Sequence, residues 1–156
     1  MKIVNNQLPS FHQSVDILLV EDNAGDVRLT EEAFKDGRIA NTLYVVNDGI
    51  AALDFLYQRG DHADAPRPHI VLLDLNLPRK NGDEVLQELR SEPEFERLPV
   101  IVLTTSETQH DFVKSIVPEA DAYLEKPVDP DDFIDTVRTF ESVWLSVGWA
   151  SKREDD

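Results

Sequence analysis

Short runs of apolar residues recur along the chain and are separated by longer stretches that mix apolar and charged residues. The runs are continuous rather than alternating, which is typical of strands buried on both faces of a parallel sheet. The pattern predicts five such strands: Ile17–Val20, Thr42–Val46, Ile70–Leu73, Val100–Leu103 and Ala122–Glu125.

The stretches between these runs carry apolar residues at helical spacing. They predict five helices: Gly25–Phe34, Ile50–Tyr57, Glu84–Arg90, Thr108–Val117 and Asp129–Leu145. The apolar stripe of the last helix consists of Phe133, Val137, Phe140 and Trp144. Asp129 suits its N-cap, and Pro130 suits the first helical position. Strands alternating with helices predict an α/β fold, with helices on both faces of one parallel sheet.

The length of 156 residues suits one domain with one core. We expect a loose N-terminal arm at 1–14, one folded domain at 15–147 and a short tail at 148–156. Polar residues with Gly and Pro predict loops at Gln58–His69 and Pro78–Gly82. A turn is predicted at 47–49, where Asn-Asp-Gly follows the second strand.

The chain is strongly acidic, with 15 Lys and Arg against 31 Asp and Glu. This balance argues against duplex DNA as a direct partner, because affinity for phosphate backbones comes largely from basic residues. The acids are dispersed, which predicts a solvated acidic surface. A dispersed excess of this size also fits a protein kept soluble in a salt-rich, halophile-like cytoplasm, where salt screens the repulsion.

Cysteine is absent from the sequence, which excludes disulfides, thiolate zinc sites and cysteine nucleophiles. The apolar runs are far shorter than the roughly 18 residues that a membrane span needs. The N-terminus lacks the apolar stretch of a secretory signal, so the cytoplasm is the expected compartment. The histidines show no metal-ligand spacing and are predicted to lie in loops: His12, His62, His69 and His110.

Polar residues of complementary chemistry follow four of the five predicted strands. Ligands of open α/β sheets bind beyond the carboxyl ends of the strands, so these residues are expected to converge. They are Glu21 and Asp22 after the first strand, Asp74 after the third, Thr104 with Thr105 and Ser106 after the fourth, and Lys126 after the fifth. The second strand ends near Asn47 and offers no obvious candidate.

The convergence has a chemical logic. Three carboxylates in one cleft repel one another unless a cation lies among them, and oxygen donors suit Mg²⁺. A carboxylate in such a site can attack a phosphoryl group and become an acyl phosphate. Lys126 and Thr104 can then bond the new phosphoryl oxygens. Taken singly, each residue has a simpler interpretation as a cap, a strand-end hydroxyl or a surface lysine.

Four blocks of the sequence resemble the signature blocks of response-regulator receiver domains in two-component signalling. The blocks are Leu18–Asn23, Leu72–Pro78, Val100–Thr104 and Tyr123–Pro127, and the resemblance covers roughly residues 15–145. It implies a flavodoxin-like, doubly wound (βα)₅ fold. It also implies that a sensor histidine kinase or phosphotransfer protein donates a phosphoryl group. Such a protein is a phosphoacceptor that assists its own phosphorylation and dephosphorylation, rather than an enzyme.

The resemblance also implies residue roles. Asp74 matches the phosphoacceptor, and Thr104 with Lys126 matches the pair that binds the phosphoryl group. Tyr123 matches an aromatic switch residue that moves inward with Thr104. The metal site matches Glu21, Asp22, Asp74 and the backbone carbonyl of Asn76.

Two features of the sequence differ from the commonest pattern of the family and indicate a subgroup. Thr105 stands where the family usually has a smaller residue, so access to the acyl phosphate is expected to be narrower. The Gln58–His69 loop is longer than in compact members. Together with tryptophan near the C-terminus, these features resemble stand-alone regulators paired with cyanobacterial phytochromes.

The expected output is contact with a downstream protein through the predicted fourth and fifth helices and the fifth strand, without nucleic acid or membrane. Trp144 and Trp149 are candidates for that surface, although the stripe favours a core position for Trp144. A homodimer face could use Phe112, Ile116 and Val117, with core packing as the alternative. Two other functions stay open at this point. One is a pseudo-receiver adaptor, and the other is a Mg²⁺-dependent phosphohydrolase, although Asn76 replaces the second acid of its Asp-x-Asp motif.

Overall fold

The computed structural model describes residues 15–35, 40–105, 113–114 and 117–140. Five parallel strands form one sheet in the order β2-β1-β3-β4-β5. The strands are β1 (Val15–Val20), β2 (Asn41–Val46), β3 (Ile70–Asp74), β4 (Val100–Thr104) and β5 (Ala122–Glu125). This order is that of the flavodoxin-like doubly wound fold, so the predicted fold class is confirmed.

Four α-helices lie in the described part of the chain: α1 (Ala24–Lys35), α2 (Gly49–Tyr57), α3 (Gly82–Ser91) and α4 (Pro130–Val137). The last of these is the predicted fifth helix, and Asp129 caps it by accepting the Asp131 N–H at 2.8 Å. The prediction of one continuous helix is wrong at 138–140, since regular helix ends at Val137, and its last part, 141–145, lies outside the described residues. The N–H of Phe140 bonds three residues back, to the Val137 carbonyl at 2.8 Å, as in a tightened last turn.

Most of the predicted fourth helix lies outside the described residues. Val113 and Lys114 are helical, and the buried Val117 donates its N–H to the Val113 carbonyl at 2.8 Å. Val113 and Val117 both pack in the core. For Val117, this agrees with core packing, the predicted alternative to a dimer face. The other predictions on this and the terminal segments also lie outside the described residues: the arm at 1–14, the tail at 148–156, Phe112, Ile116, Trp144, Trp149, His12, His110 and Ser106.

The sheet separates two apolar clusters because successive side chains of a strand point to opposite faces. In β1, Leu18 and Val20 face the cluster that contains α2 and α3. Ile17 and Leu19 face the cluster that contains Phe34 of α1 and Phe133 of α4. Both faces of the central strands are therefore buried, as their continuous apolar runs predicted. In the described part of the chain, no helix is long and apolar enough to cross a membrane.

The loop between α2 and β3 is packed rather than extended. It contains a 3₁₀ turn at Gly60–His62, and the ring of His62 lies 5.5 Å from that of Phe55. The side chain of Gln58 donates to the Ala65 carbonyl at 2.6 Å. His69 accepts the Asp16 N–H on its Nδ1 at 2.9 Å, which fixes the loop against the start of β1. Both described histidines thus have structural contacts in a loop, as predicted.

The turn predicted at 47–49 is the start of α2. Asp48 is the N-cap and accepts the Ala51 N–H at 2.7 Å, and Gly49 is the first helical residue. Strand order reverses between β1 and β3, which leaves a crevice beyond the carboxyl ends of these two strands. The candidate site lies in that crevice.

Candidate functional site

The ends of β1 and β3 bring three carboxyl groups together. Val20 and Leu73 are paired in the parallel register, so the residues that follow each of them are neighbours. One carboxylate oxygen from each of Glu21, Asp22 and Asp74 lies within 4.8 Å of the others. Glu21 and Asp74 are buried and Asp22 is exposed. The predicted acidic cluster is therefore present in the structure.

Lys126 lies among these carboxyl groups. Its Nζ is 2.7 Å from Oε1 of Glu21 and 3.0 Å from Oδ2 of Asp74. A third carboxylate oxygen, Oδ2 of Asp26, is 3.1 Å away. The lysine is positioned by its own backbone, because its N–H donates to the Thr104 carbonyl at 2.7 Å as β5 ends beside β4.

Asp74 has both carboxylate oxygens engaged. Oδ1 accepts the backbone N–H of Asn76 at 3.1 Å, and Oδ2 accepts from Lys126 at 3.0 Å. The residue is 7% exposed, so it is buried at the end of β3. Asn76 is exposed two residues further on.

Glu21 is held from several directions. Its backbone N–H donates to the Val46 carbonyl at 3.0 Å, and its carbonyl accepts from the Asn47 side chain at 3.0 Å. Its Oε2 accepts the Asn23 N–H at 3.2 Å. Burial raises the pKa of Glu21 to about 7, and the neighbouring Asp74 adds to the rise while Lys126 opposes it. Burial acts in this direction because it disfavours the charged form of an acid.

The ion pairs determine the direction in which the pKa of Lys126 shifts. Burial alone lowers the pKa of an amine, but the hydrogen bonds to Glu21 and Asp74 outweigh burial and raise the pKa of Lys126. Its side chain is 13% exposed, and the charged form is the one that the site stabilises.

Thr104 ends β4 beside Lys126, and Tyr123 lies on the neighbouring strand β5. Thr104 is 2% exposed, and its hydroxyl donates to the Leu124 carbonyl of β5 at 3.4 Å. Tyr123 is half-buried, and its hydroxyl donates to the Val117 carbonyl. Burial raises the pKa of the Tyr123 hydroxyl. Thr105 follows Thr104 and is exposed at the end of β4.

The loop after β3 is clamped onto α2 and α3. A Cβ on Gly82 would lie 2.5 Å from the Asp74 carbonyl oxygen, so only glycine lets α3 begin this close to the end of β3. Arg79, at a φ of 67°, donates to the Asp48 carboxylate at 3.0 Å. Lys80 donates to Glu88 of α3 at 2.9 Å. These contacts fix the backbone that carries Asp74 and Asn76.

Sequence reasoning missed two members of the site. Asn47 supports the Glu21 backbone from the end of β2, a strand that offered no obvious candidate. Asp26 reaches Lys126 from the first turn of α1, far earlier in the chain. An acid in a first helical turn is usually interpreted as a partner of the helix dipole, so its sequence context alone does not reveal this contact.

The donor set fits a divalent cation with oxygen ligands. Carboxyl groups outnumber the ammonium group by four to one, counting Glu21, Asp22, Asp26 and Asp74 against Lys126. Burial is the main cause of the raised pKa of Glu21, and the neighbouring Asp74 adds to the rise although Lys126 opposes it. Mg²⁺ and Mn²⁺ both take carboxylate oxygens and keep places for water or phosphate.

Residues 17–138 match the family model described as the response regulator receiver domain. The chain belongs to the response-regulator receiver family. Its members are phosphorylatable signalling proteins, not classical enzymes, and they bind a divalent metal. They act with histidine kinases or phytochromes and with downstream targets.

Three relatives of this receiver chain are informative. Response regulator Rcp1 of Synechocystis sp. is 44% identical over 129 residues, covering 83% of this chain and 88% of Rcp1. The crystal structure of its Mn²⁺-bound form has a TM-score of 0.65 and covers 84% of this chain and 94% of that one. Phosphorylated RcpA, a cyanobacterial phytochrome response regulator, is 40% identical, with a TM-score of 0.66 and coverage of 86% and 96%. The bacteriophytochrome response regulator AtBRR is 36% identical, with a TM-score of 0.76 and coverage of 83% and 94%.

Proposed function

We propose that this receiver is a switch in which Asp74 accepts a phosphoryl group from a sensor histidine kinase or phosphotransfer protein. The observation that carries the proposal is the position of Asp74, which lies in the crevice with one carboxylate oxygen on Lys126 and the other on the Asn76 N–H. A carboxylate held in this way is oriented for attack while its charge is balanced.

The transfer is a substitution at phosphorus. One carboxylate oxygen of Asp74 forms the new P–O bond, and the P–N bond to the donor histidine breaks with its electron pair going to the imidazole. Small donors such as acetyl phosphate react in the same way, with acetate as the leaving group. Lys126 and the Thr104 hydroxyl supply hydrogen bonds to the transferred phosphoryl oxygens, which is positioning and charge neutralisation rather than covalent chemistry.

Mg²⁺ is the proposed metal. Asp22 and Asp74 would bind it directly, Glu21 through its outer shell, and the Asn76 backbone carbonyl would complete the site. When bound, the cation supplies positive charge against the phosphate oxygens. The Mn²⁺-bound Rcp1 structure supports a divalent cation in a receiver that is 44% identical to this one.

The signal is proposed to leave through the surface of β5, α4 and the segment that includes Lys114 and Val117. A phosphoryl group brings close to two negative charges, and each charge-assisted bond to it is worth about 1.5–3 kcal/mol. Reversing a population from about 1:99 to 99:1 needs roughly 5.5 kcal/mol, which two or three such bonds can supply. Movement of Thr104 toward the phosphoryl group would release its bond to Leu124, beside Tyr123. The tyrosine links this event to Val117.

Several partners follow from this proposal. The input is a sensor kinase, and the likeness to RcpA and AtBRR favours one of the phytochrome class. The output is a downstream protein, with a second copy of this chain as a further candidate. The reaction uses a phosphorylated kinase and is proposed to take place in the cytoplasm, without direct contact with nucleic acid or membrane.

The experiment is treatment of the protein with acetyl phosphate and Mg²⁺, followed by intact-mass measurement. The wild type is expected to gain one phosphoryl group and Asp74→Asn none. Asp83→Asn, which changes a half-buried acid in the first turn of α3, is the matched control and is expected to be labelled. Label retained in Asp74→Asn refutes the assignment. Steady turnover of a phosphate ester favours the phosphohydrolase, and a lack of Mg²⁺ affinity favours the pseudo-receiver.

A further inference from the structure

We propose that Asp26 is a displaceable partner of Lys126, which competes with the phosphoryl group for the ammonium and so weakens the hold of the site on that group. The inference rests on the proposed function of Asp74 and Lys126. A residue in the first turn of α1 would then directly influence how tightly the site binds the phosphoryl group.

The hydrogen-bond capacity of Lys126 creates the competition. An ammonium group has three N–H donors. In the structure three carboxylate oxygens surround it, from Glu21 at 2.7 Å, Asp74 at 3.0 Å and Asp26 at 3.1 Å. Every donor therefore has an acceptor, and a phosphoryl oxygen can bond to Lys126 only if one of them is given up.

Burial indicates which acceptor is given up. Asp74 is the residue that carries the phosphoryl group, so the choice lies between the other two acceptors: the Glu21 side chain is 1% exposed, whereas that of Asp26 is 35% exposed. A buried carboxylate that loses its partner pays the full cost of desolvation, while an exposed one is solvated again by water. Asp26 is therefore the partner whose release costs least.

The backbone around Asp26 is held independently of its carboxylate. Its N–H donates to Oδ1 of Asn23 at 2.9 Å, and its carbonyl accepts the Thr30 hydroxyl at 2.9 Å. The residue also lies in the first turn of α1, where the helix dipole favours a negative charge. The side chain can thus leave Lys126 without rearrangement of the helix.

Asp26 is expected to weaken binding of the phosphoryl group in a second way. Its negative charge lies beside the place where Lys126 would meet the phosphoryl group, and like charges at this range repel. Loss of the carboxylate therefore frees one N–H donor and removes a repulsion at the same time. Both effects predict tighter binding of an anionic phosphoryl mimic, which is a gain that partial unfolding cannot produce.

The test is the affinity for beryllofluoride at saturating Mg²⁺, measured by titration calorimetry. Asp26→Asn and Asp26→Ala are expected to bind about two- to fivefold more tightly than wild type, the size of a partly exposed ion pair. Asp26→Glu keeps the charge and is expected to stay close to wild type. Glu31→Gln removes one exposed carboxylate from the same helix and controls for net charge.

Unchanged or weaker binding by both Asp26 variants overturns the inference, as does an equal gain in Glu31→Gln. If Asp26→Ala folds poorly, Asp26→Asn keeps the shape of the side chain and decides the question. A wild type that takes no phosphoryl group and binds no beryllofluoride overturns the proposed function and this inference together. A wild type that does both, with Asp26→Asn equal to it, overturns this inference alone.

Discussion

The ammonium nitrogen of Lys126 lies 2.7 Å from Oε1 of Glu21, whose side chain is 1% exposed. The two residues follow the carboxyl ends of β5 and β1, and β3 and β4 lie between these strands in the sheet. A buried ion pair adds little stability compared with an apolar pair, but removal of one partner leaves a buried charge without compensation. Lys126 is therefore a structural requirement of the site as well as a proposed ligand of the phosphoryl group.

Lys126→Met is expected to lower the free energy of unfolding by about 2–4 kcal/mol at about pH 8 without divalent cations. The cause is the unpaired Glu21 carboxylate, and the cost is smaller where Glu21 can take up a proton. Urea denaturation in the presence of a chelator measures it. Lys35→Met, at a lysine whose side chain is 72% exposed, is the control and should change stability little. Equal stability of Lys126→Met and wild type would contradict the buried-pair interpretation.

Glu21 also gives the metal-free protein a pH dependence. Its pKa is about 7 in the folded state and has an ordinary value of 4.5, so the folded state holds the proton more tightly. The resulting stability is present at low pH and is lost as pH rises through about 7, with a slope of at most about 1.4 kcal/mol per unit.

Urea denaturation at several pH values between about 5 and about 8 tests whether stability falls as pH rises. Wild-type stability should fall over this range in chelator, and Glu21→Gln should show a flatter profile. Saturating Mg²⁺ should flatten the wild-type profile as well, because a cation favours the ionised form. A wild-type profile that rises with pH over this range, or a slope retained in Glu21→Gln, would show that other groups control it.

The sequence predicted the sheet and most of the site for one physical reason. Continuous apolar runs give buried parallel strands, and the residue after each run must then lie at the carboxyl edge. Asp74, Thr104 and Lys126 could be placed together on that basis, before any contact was known. Which oxygen of Asp74 bonds to which donor could not be predicted, because it depends on the path of the Asn76 loop.

Asp26 and the end of α4 show where sequence reasoning fails. Asp26 contacts Lys126 only because α1 starts at Ala24 and packs beside the crevice, which is a tertiary relationship. The apolar stripe predicted for the last helix continues past Val137, where regular helix ends in the described residues. Phe140 still packs against the core just beyond the helix, so packing of this residue does not require a continuous helix.

Arg90 is expected to be important for stability away from the site. Its guanidinium donates to the Leu98 carbonyl at 2.9 Å and to the Asp121 carboxylate at 2.8 Å, and Asp121 in turn accepts the Val100 N–H at 2.8 Å. Arg90→Ala should cost about 2–3 kcal/mol, since it leaves several polar groups without partners. Thermal or urea unfolding measures this, with Arg97→Ala, an exposed arginine, as control. A loss below that of the control would show that water replaces these bonds.

Gly82 couples the start of α3 to the phosphoacceptor. A methyl group there would lie 2.5 Å from the Asp74 carbonyl oxygen and 2.7 Å from Cα of Leu75, and both are backbone atoms that cannot rotate away. Gly82→Ala is therefore expected to displace the loop after β3 and to cost about 1–3 kcal/mol, as overpacking does.

The same displacement should weaken Mg²⁺ binding, because Asp74 and the proposed ligand Asn76 lie on the backbone that must move. Gly25→Ala is the matched control, since its added methyl would meet one side-chain atom, Oδ1 of Asn23, at 3.2 Å and no backbone atom. That variant should keep the wild-type Mg²⁺ affinity in a calorimetric titration. If Gly82→Ala keeps the wild-type Mg²⁺ affinity and loses only stability, the contacts of the loop after β3 support the fold without setting the geometry of the site.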